Sequence, residues 1–324
     1  MRLILVELNR FRSRRAIALL GLAAVLFAVV LVGKTAWDTR PLTHEDRVDA
    51  VAQAQLEGQR AEIQQEVRAC RADPADYLGP DAMAGDCADA LIPGPDAYYP
   101  RDPLSLRAVL SAQGLGIPLA LIVAGLMVIA GCTFAGGDWS SRSMSNQLIF
   151  EPRRVRLWLA KGVAVALGCG VVALVAIGGF WLAVGVVAQA RDLSMPAVQV
   201  EHVTWHVVRA VALAMGAGLG AFALTMIFRH TVATLALLFV YSIGGEIVVN
   251  LLPVEGAGRW SLGNNAVGWL ALRHRYFESN VTCVPGDRCS SVHTLTHLEA
   301  STFFGVLLAI TVVVSLVWFS RRDV

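Results

Sequence analysis

Charge is scarce in this chain, and lysine is scarcer still. Only 16% of its residues are Asp, Glu, Lys or Arg, against about 25% in soluble domains. With 56% hydrophobic residues, that shortage excludes an ordinary water-soluble domain and places the chain in lipid. Lys34 and Lys161 are its only lysines, beside 25 arginines. A nucleotide site is also lacking. Gly33-Lys34-Thr35 has the ending of a P-loop, but Ala28 stands where that motif needs its first glycine. Any ATP this protein uses is therefore bound by another chain. HExxH and GxSxG are absent, and no intramembrane Ser/His pair has usable spacing, which disfavours a hydrolytic or intramembrane enzyme. Repeats of 20–50 residues and low-complexity tracts are missing too.

What is present is a set of six apolar runs, each near the roughly 20 residues that cross about 30 Å of hydrocarbon. They are Ala16 to Ala36, Ala112 to Ala135, Leu157 to Ala188, Val207 to Phe228, Thr231 to Leu252 and Thr302 to Phe319. The over-long third run tilts or begins as an interfacial helix. The first is too long for the h-region of a signal peptide and lacks a good cleavage site, so it is expected to stay attached. Ser13-Arg14-Arg15 is read as an anchor, not a twin-arginine signal.

Basic residues give the expected orientation. Arg2, Arg10, Arg12, Arg14 and Arg15 precede the first run, against the single acid Glu7. Arg142, Arg153, Arg154, Arg156 and Lys161 fall between runs two and three, and Arg321 and Arg322 close the chain. With six spans these segments share one side, which the bias makes cytoplasmic, with both termini inside. Residues 2–15 read as a helix lying in the cytoplasmic leaflet, since Ile4, Leu8, Phe11 and Arg15 recur at helical spacing. The opposite loop, 37–111, is rich in acids and carries a helical stripe through Val48, Val51, Leu56, Ile63, Val67 and Cys70. With the loop at 253–301 it forms a partly helical extracytoplasmic cap. A third outside loop covers 189–206. The expected fold is an all-α membrane protein of six transmembrane helices. Disulfides are expected within the pairs Cys70 with Cys87 and Cys283 with Cys289, because an oxidising exterior permits them; Cys132 and Cys169 fall in spans. Gly216-x-x-x-Gly220 is a pattern that lets helices approach closely, in a tightly packed or dimeric bundle.

Three groups of residues could carry function. His202 with His206, and His293 with His297, are i, i+4 pairs set ahead of spans four and six, so a metal site is geometrically possible. Two-ligand spacing alone is a common accident, and interfacial polar residues capping helix starts are the preferred account. Ser242, Glu246 and Asn250 form a polar stripe on span five. A carboxylate in a span usually faces a cavity or a partner. Arg209 is the expected partner, at roughly 31 Å above the 229–230 turn against roughly 24 Å for Glu246. The pair is either a buried clamp or part of a substrate path or gate.

The third group is the most informative. Residues 136–161 are polar and charged, carry an EPRR turn and are too short for a domain. Trp139, Met144, Leu148, Ile149 and Phe150 give an apolar side, Pro152 ends a helix, and Arg153, Arg154 and Arg156 follow. Obeying the positive-inside rule requires less than that. The stretch from Asp138 to Lys161 resembles the segment between spans two and three of ABC-2-type transporter permeases from GC-rich bacteria, where G-x-E-W-S-S-G-(S/T)-(M/L) leads to (F/W)-E-P-R-R-x-R. This chain has Asp138 for the usual Glu and Arg142 for the usual Gly. Glu246 and Asn264-Asn265-Ala266 look like the same family, as does the preference for arginine. About 25 contiguous residues carry the specific motif.

The resemblance implies a permease half in a bacterial cytoplasmic membrane, pairing with a second such subunit above two cytoplasmic ABC ATPase subunits. ATP and Mg would sit on those partners and no cofactor on this chain; no nucleic acid partner is expected, and membrane lipid is. Residues 136–156 would be the coupling element, with Glu151, Arg153 and Arg154 touching the ATPase, Trp139 and Phe150 anchoring it, and Asp138 and Arg156 belonging to it. The cargo would be a hydrophobic or amphipathic drug, lipid or peptide. The alternative is a non-transporting sensor or assembly subunit whose outer loops bind a ligand or metal.

Overall fold

The computed structural model describes residues 2–79, 82–111, 113–252, 256–271, 273–277 and 292–321. Six helices among them are long and apolar enough to cross a membrane. The first is α2 (Arg15–Asp38), entered from the shorter α1 (Arg2–Ser13) through a break at Arg14. In the acidic loop lie α3 (His44–Gly58), α4 (Ala61–Ala72) and α5 (Asp86–Leu91). Then come α6 (Gly116–Ser140), α7 (Ser143–Phe150), α8 (Arg154–Gln189), α9 (Ala197–Phe228) and α10 (Thr231–Leu251). The chain continues with α11 (Leu262–Leu270), an antiparallel ribbon of β1 (His274–Phe277) and β2 (Val292–Leu295), and α12 (His297–Arg321).

Contacts divide the chain into two units, residues 34–104 and the remainder. Within 34–104, Thr43 caps α3: its hydroxyl accepts from the Asp46 amide, and the Asp46 carboxylate accepts from the Thr43 amide at 2.8 Å. The Thr43 bonds, helped by an ion pair with Arg101, hold the Asp46 carboxyl below its ordinary value. Ala50, Ala54 and Gly58 form the buried face of α3 at four-residue spacing. A disulfide joins Cys70 of α4 to Cys87 of α5. Cys283 and Cys289 lie outside the described residues.

The second unit packs its helices through small residues. A β-carbon on Gly131 of α6 would run into the Gly218 carbonyl of α9, so the two backbones touch there. Cys169 of α8 fills the same crossing against Gly218. A β-carbon on Gly216 or Gly220 would come within 3.6 or 3.5 Å of Leu308 of α12, so the small-xxx-small pattern is faced by a helix of its own chain. Trp158 of α8 packs edge-on against Phe222 of α9 and donates to Ser315 of α12 at 3.1 Å, whose hydroxyl donates to the Ala223 carbonyl at 2.7 Å. One indole thereby joins three helices. In α8 a single π-turn at Leu174–Gly178 interrupts the α-helical pitch.

Several helix limits differ from the apolar runs. α6 begins at Gly116, not Ala112, and extends to Ser140 through the polar Gly136-Gly137-Asp138-Trp139. α9 begins ten residues ahead of its run, and α12 begins at His297, so both take in residues read as loop. Helical hydrogen bonding continues past the apolar stretch wherever no proline or glycine turn stops it. α9 and α10 are joined by Arg229-His230 alone, with Arg229 left-handed at φ 56° and His230 capping α10 by accepting from the Ala233 amide.

Candidate functional site

Four consecutive residues at the end of α6 touch every other element gathered there. Gly136 gives Thr231 of α10 room against the backbone, because a β-carbon would strike its hydroxyl. Gly137 does the same on another side for the Arg14 guanidinium. That guanidinium donates to the carbonyls of Thr133 at 3.0 Å and Phe134 at 2.8 Å. Asp138 pairs with Arg14 and with Lys161 of α8. Trp139 lies edge-on to Phe319 of α12, and Arg229 of the α9–α10 turn stacks over its ring at 4.5 Å. The two glycines are there for approach, and the two side chains after them for attachment.

Beneath this junction runs a buried ionic chain. Lys161 is wholly inaccessible and donates to Glu7 of α1 at 2.9 Å as well as to Asp138. Glu7 and Asp138 are 2% and 1% exposed. Arg10 reaches back to Glu7 at 3.2 Å and donates to Ser143 of α7 at 3.0 Å. Phe134 supplies a ring face to both Arg14 and Lys161, at 4.8 and 5.2 Å, and takes Phe11 edge-on at 5.4 Å. Gly168 of α8 leaves the space that Phe11 fills. Five charged side chains thus bind α1, α6 and α8 together, two carboxylates shared among three cations. Isolated buried charges would be prohibitive; paired and hydrogen-bonded they are tolerable and fix geometry.

From this junction α7 projects as an elbow. Arg142 turns the chain with φ 57°, a left-handed conformation that glycine takes without strain. Met144 faces inward and is buried, while Ile149 and Phe150 are 76% and 89% exposed. Glu151 pairs with Arg156 at 3.5 Å. Arg153 is exposed and Arg154 half-buried. Of the residues assigned to the coupling element, Phe150, Arg153 and Arg156 lie at the surface. Asp138 and Trp139 do not. They are turned toward the bundle because α6 continues through them, Asp138 buried and Trp139 half-buried.

At the opposite end the expected Arg209–Glu246 pair is not formed. The Glu246 carboxylate accepts from the Ser261 hydroxyl at 2.8 Å and from the Gly263 amide, and so caps the start of α11. No ion pair joins it to Arg209, whose carbonyl instead accepts from Trp269 at 2.9 Å. The start of α11 offered the carboxylate free amide donors closer at hand. Ser242 and Asn250 bond locally, to the carbonyls of Phe239 and Glu246. The histidine pairs likewise do not converge on a metal: among the described residues no group of three potential ligands could hold one. His206 and His297 face α11 and bond the carbonyls of Leu270 at 3.1 Å and Gly268 at 2.9 Å, capping its far end. His202 lies one helical turn before His206 on α9, and His293 stacks on Tyr276 in the ribbon. His274, whose ring meets Asn264 at 3.2 Å, has its pKa lowered by burial.

No protein-family model matches the chain, and neither a curated protein nor a solved structure matches it. Sequence reasoning missed Glu7 and Lys161 as a pair, since 154 residues separate them. A signal was nevertheless present. Glu7 is the only acid on a basic helix, and Lys161 is one of two lysines in an arginine-rich chain.

Proposed function

We propose that this chain is the membrane subunit of an ATP-driven exporter of the ABC-2 kind, oriented with α1, α7 and the end of α12 in the cytoplasm of a bacterium. A separate ATPase chain holds ATP and Mg. The α7 elbow receives its movement, and a second permease subunit completes the path for a hydrophobic or amphipathic cargo. The observation that carries this reading is the junction at 136–139. A displacement of α7 would pass directly to the α1–α2 break at Arg14, to α8, α10, the α9–α10 turn and α12, because each has its own attachment there. A loop that merely satisfied charge bias would need none of these. Arg142 adds support: it occupies, in left-handed conformation, the place where the resembling permeases carry glycine.

A photo-crosslinking side chain at Phe150 tests the reading in intact cells. It should capture a chain that binds ATP-agarose, and an adduct with no nucleotide-binding chain refutes the assignment. Reversing Arg153 and Arg154 to Glu should abolish dye efflux while ATP hydrolysis and membrane insertion persist. The folded unit at 34–104, with its own disulfide, favours a second reading as a ligand-binding sensor. Deleting that unit separates the two, because efflux driven from α7 should survive it and sensing should not.

A further inference from the structure

α1 has two faces of opposite character. Phe11 and Glu7 lie on its buried face, and Glu7 is occupied by Lys161 and Arg10. Arg2, Leu5, Val6, Asn9, Arg12 and Ser13 are exposed on the other. The single acid among the first 37 residues is therefore hidden and neutralised, and what faces outward is cationic and aliphatic with no negative charge. Arg15 begins α2, and it too is exposed. Arg2 and Arg12 stand roughly 15 Å apart along the helix, so each meets its own anion. Aliphatic side chains set between separated arginines match the boundary between headgroups and acyl chains. Because α2 follows α1 across a one-residue break and is long and apolar enough to span, α1 sits at the level of that boundary.

We propose that the outward face of α1 is a docking surface for anionic phospholipid, and that burying Glu7 against Lys161 is what frees this face of repulsion. The inference needs α2 to be a span but does not depend on an ATPase partner, so either reading can fail without the other.

The test reconstitutes the whole chain in nanodiscs of phosphatidylcholine, with and without phosphatidylglycerol, and measures deuterium uptake over residues 2–13. Uptake should slow on the order of 10-fold in the anionic discs, from about 1 kcal/mol per arginine near a charged surface. The difference should shrink as salt is raised. The double variant R2Q/R12Q should abolish it, and the charge-matched control R71Q/R107Q should leave it unchanged. Equal uptake of the unmodified chain in both discs overturns the proposal without recourse to any variant. So does a difference that survives R2Q/R12Q. Protection that appears only when a protein partner is added, in either lipid, would assign the face to that partner instead.

Discussion

Replacing Lys161 with Met keeps the aliphatic stem and removes the ammonium group. Glu7 would retain Arg10 at 3.2 Å and Asp138 would retain Arg14, but the cation shared between two almost inaccessible carboxylates would be gone. Removing one partner of a buried pair typically costs about 3–5 kcal/mol. The lower half of that range applies here, because each carboxylate keeps an arginine. The remaining cations are also partly solvated, with side-chain exposures of 36% for Arg10 and 24% for Arg14, so they substitute only in part. Unfolding by SDS in mixed micelles, followed by tryptophan fluorescence, measures the loss. The triple variant E7Q/D138N/K161M removes the three almost inaccessible charges and leaves Arg10 and Arg14, which are partly solvated, and replacing buried ionic partners together is often close to neutral. It should therefore recover at least half of the single variant's loss, a non-additivity that only contacting residues show. If K161M falls within 1 kcal/mol of the unmodified protein, or the three changes add, the ionic chain does not hold α1 to the bundle.

Three further outcomes follow from other contacts. Gly131→Ala and Gly136→Ala should each destabilise by about 1–3 kcal/mol in the same assay, while Gly125→Ala, with open space at its β-position, should be nearly silent. Glu246→Ala should remove the cap on α11, at a loss of about 1 kcal/mol, and speed amide exchange over residues 262–270 while that over α8 stays unchanged. Because folding lowers the Asp46 pKa below 3.8, its contribution is full above that value and lost as pH falls through the lowered one. Acid titration of unfolding should therefore show a component that disappears in Asp46→Asn, and an unchanged profile would refute it.

The six long apolar helices were legible because about twenty apolar residues in a row leave a chain few alternatives. Their polar ends were not. The stretch from Gly136 to Trp139 reads as the start of a loop, yet it is helical, since its glycines and aspartate are each matched by a partner from a distant segment. Periodicity has no means of displaying such matches. The elbow was visible in outline through Pro152 and the apolar stretch before it. Its orientation was not, because Met144 and Phe150 are both apolar and only packing tells which one points inward. At the other end, helical spacing correctly grouped Ser242, Glu246 and Asn250 on one face of α10 but could not reveal that a nine-residue helix supplies donors to the middle one. The histidine spacing, which pointed to a metal only weakly, was uninformative for a related reason. Two of those rings serve as caps for that helix, a role their i, i+4 separation does not encode.

The left-handed turn at Arg142 is the pivot for α7 if that helix moves as one piece. Eight helical residues extend roughly 12 Å, so a swing of about 10° at the pivot carries the Phe150 tip roughly 2 Å. On the coupling reading proposed above, a small push at the tip would be felt at five partners held by residues 136–139: Arg14, Lys161, Arg229, Thr231 and Phe319.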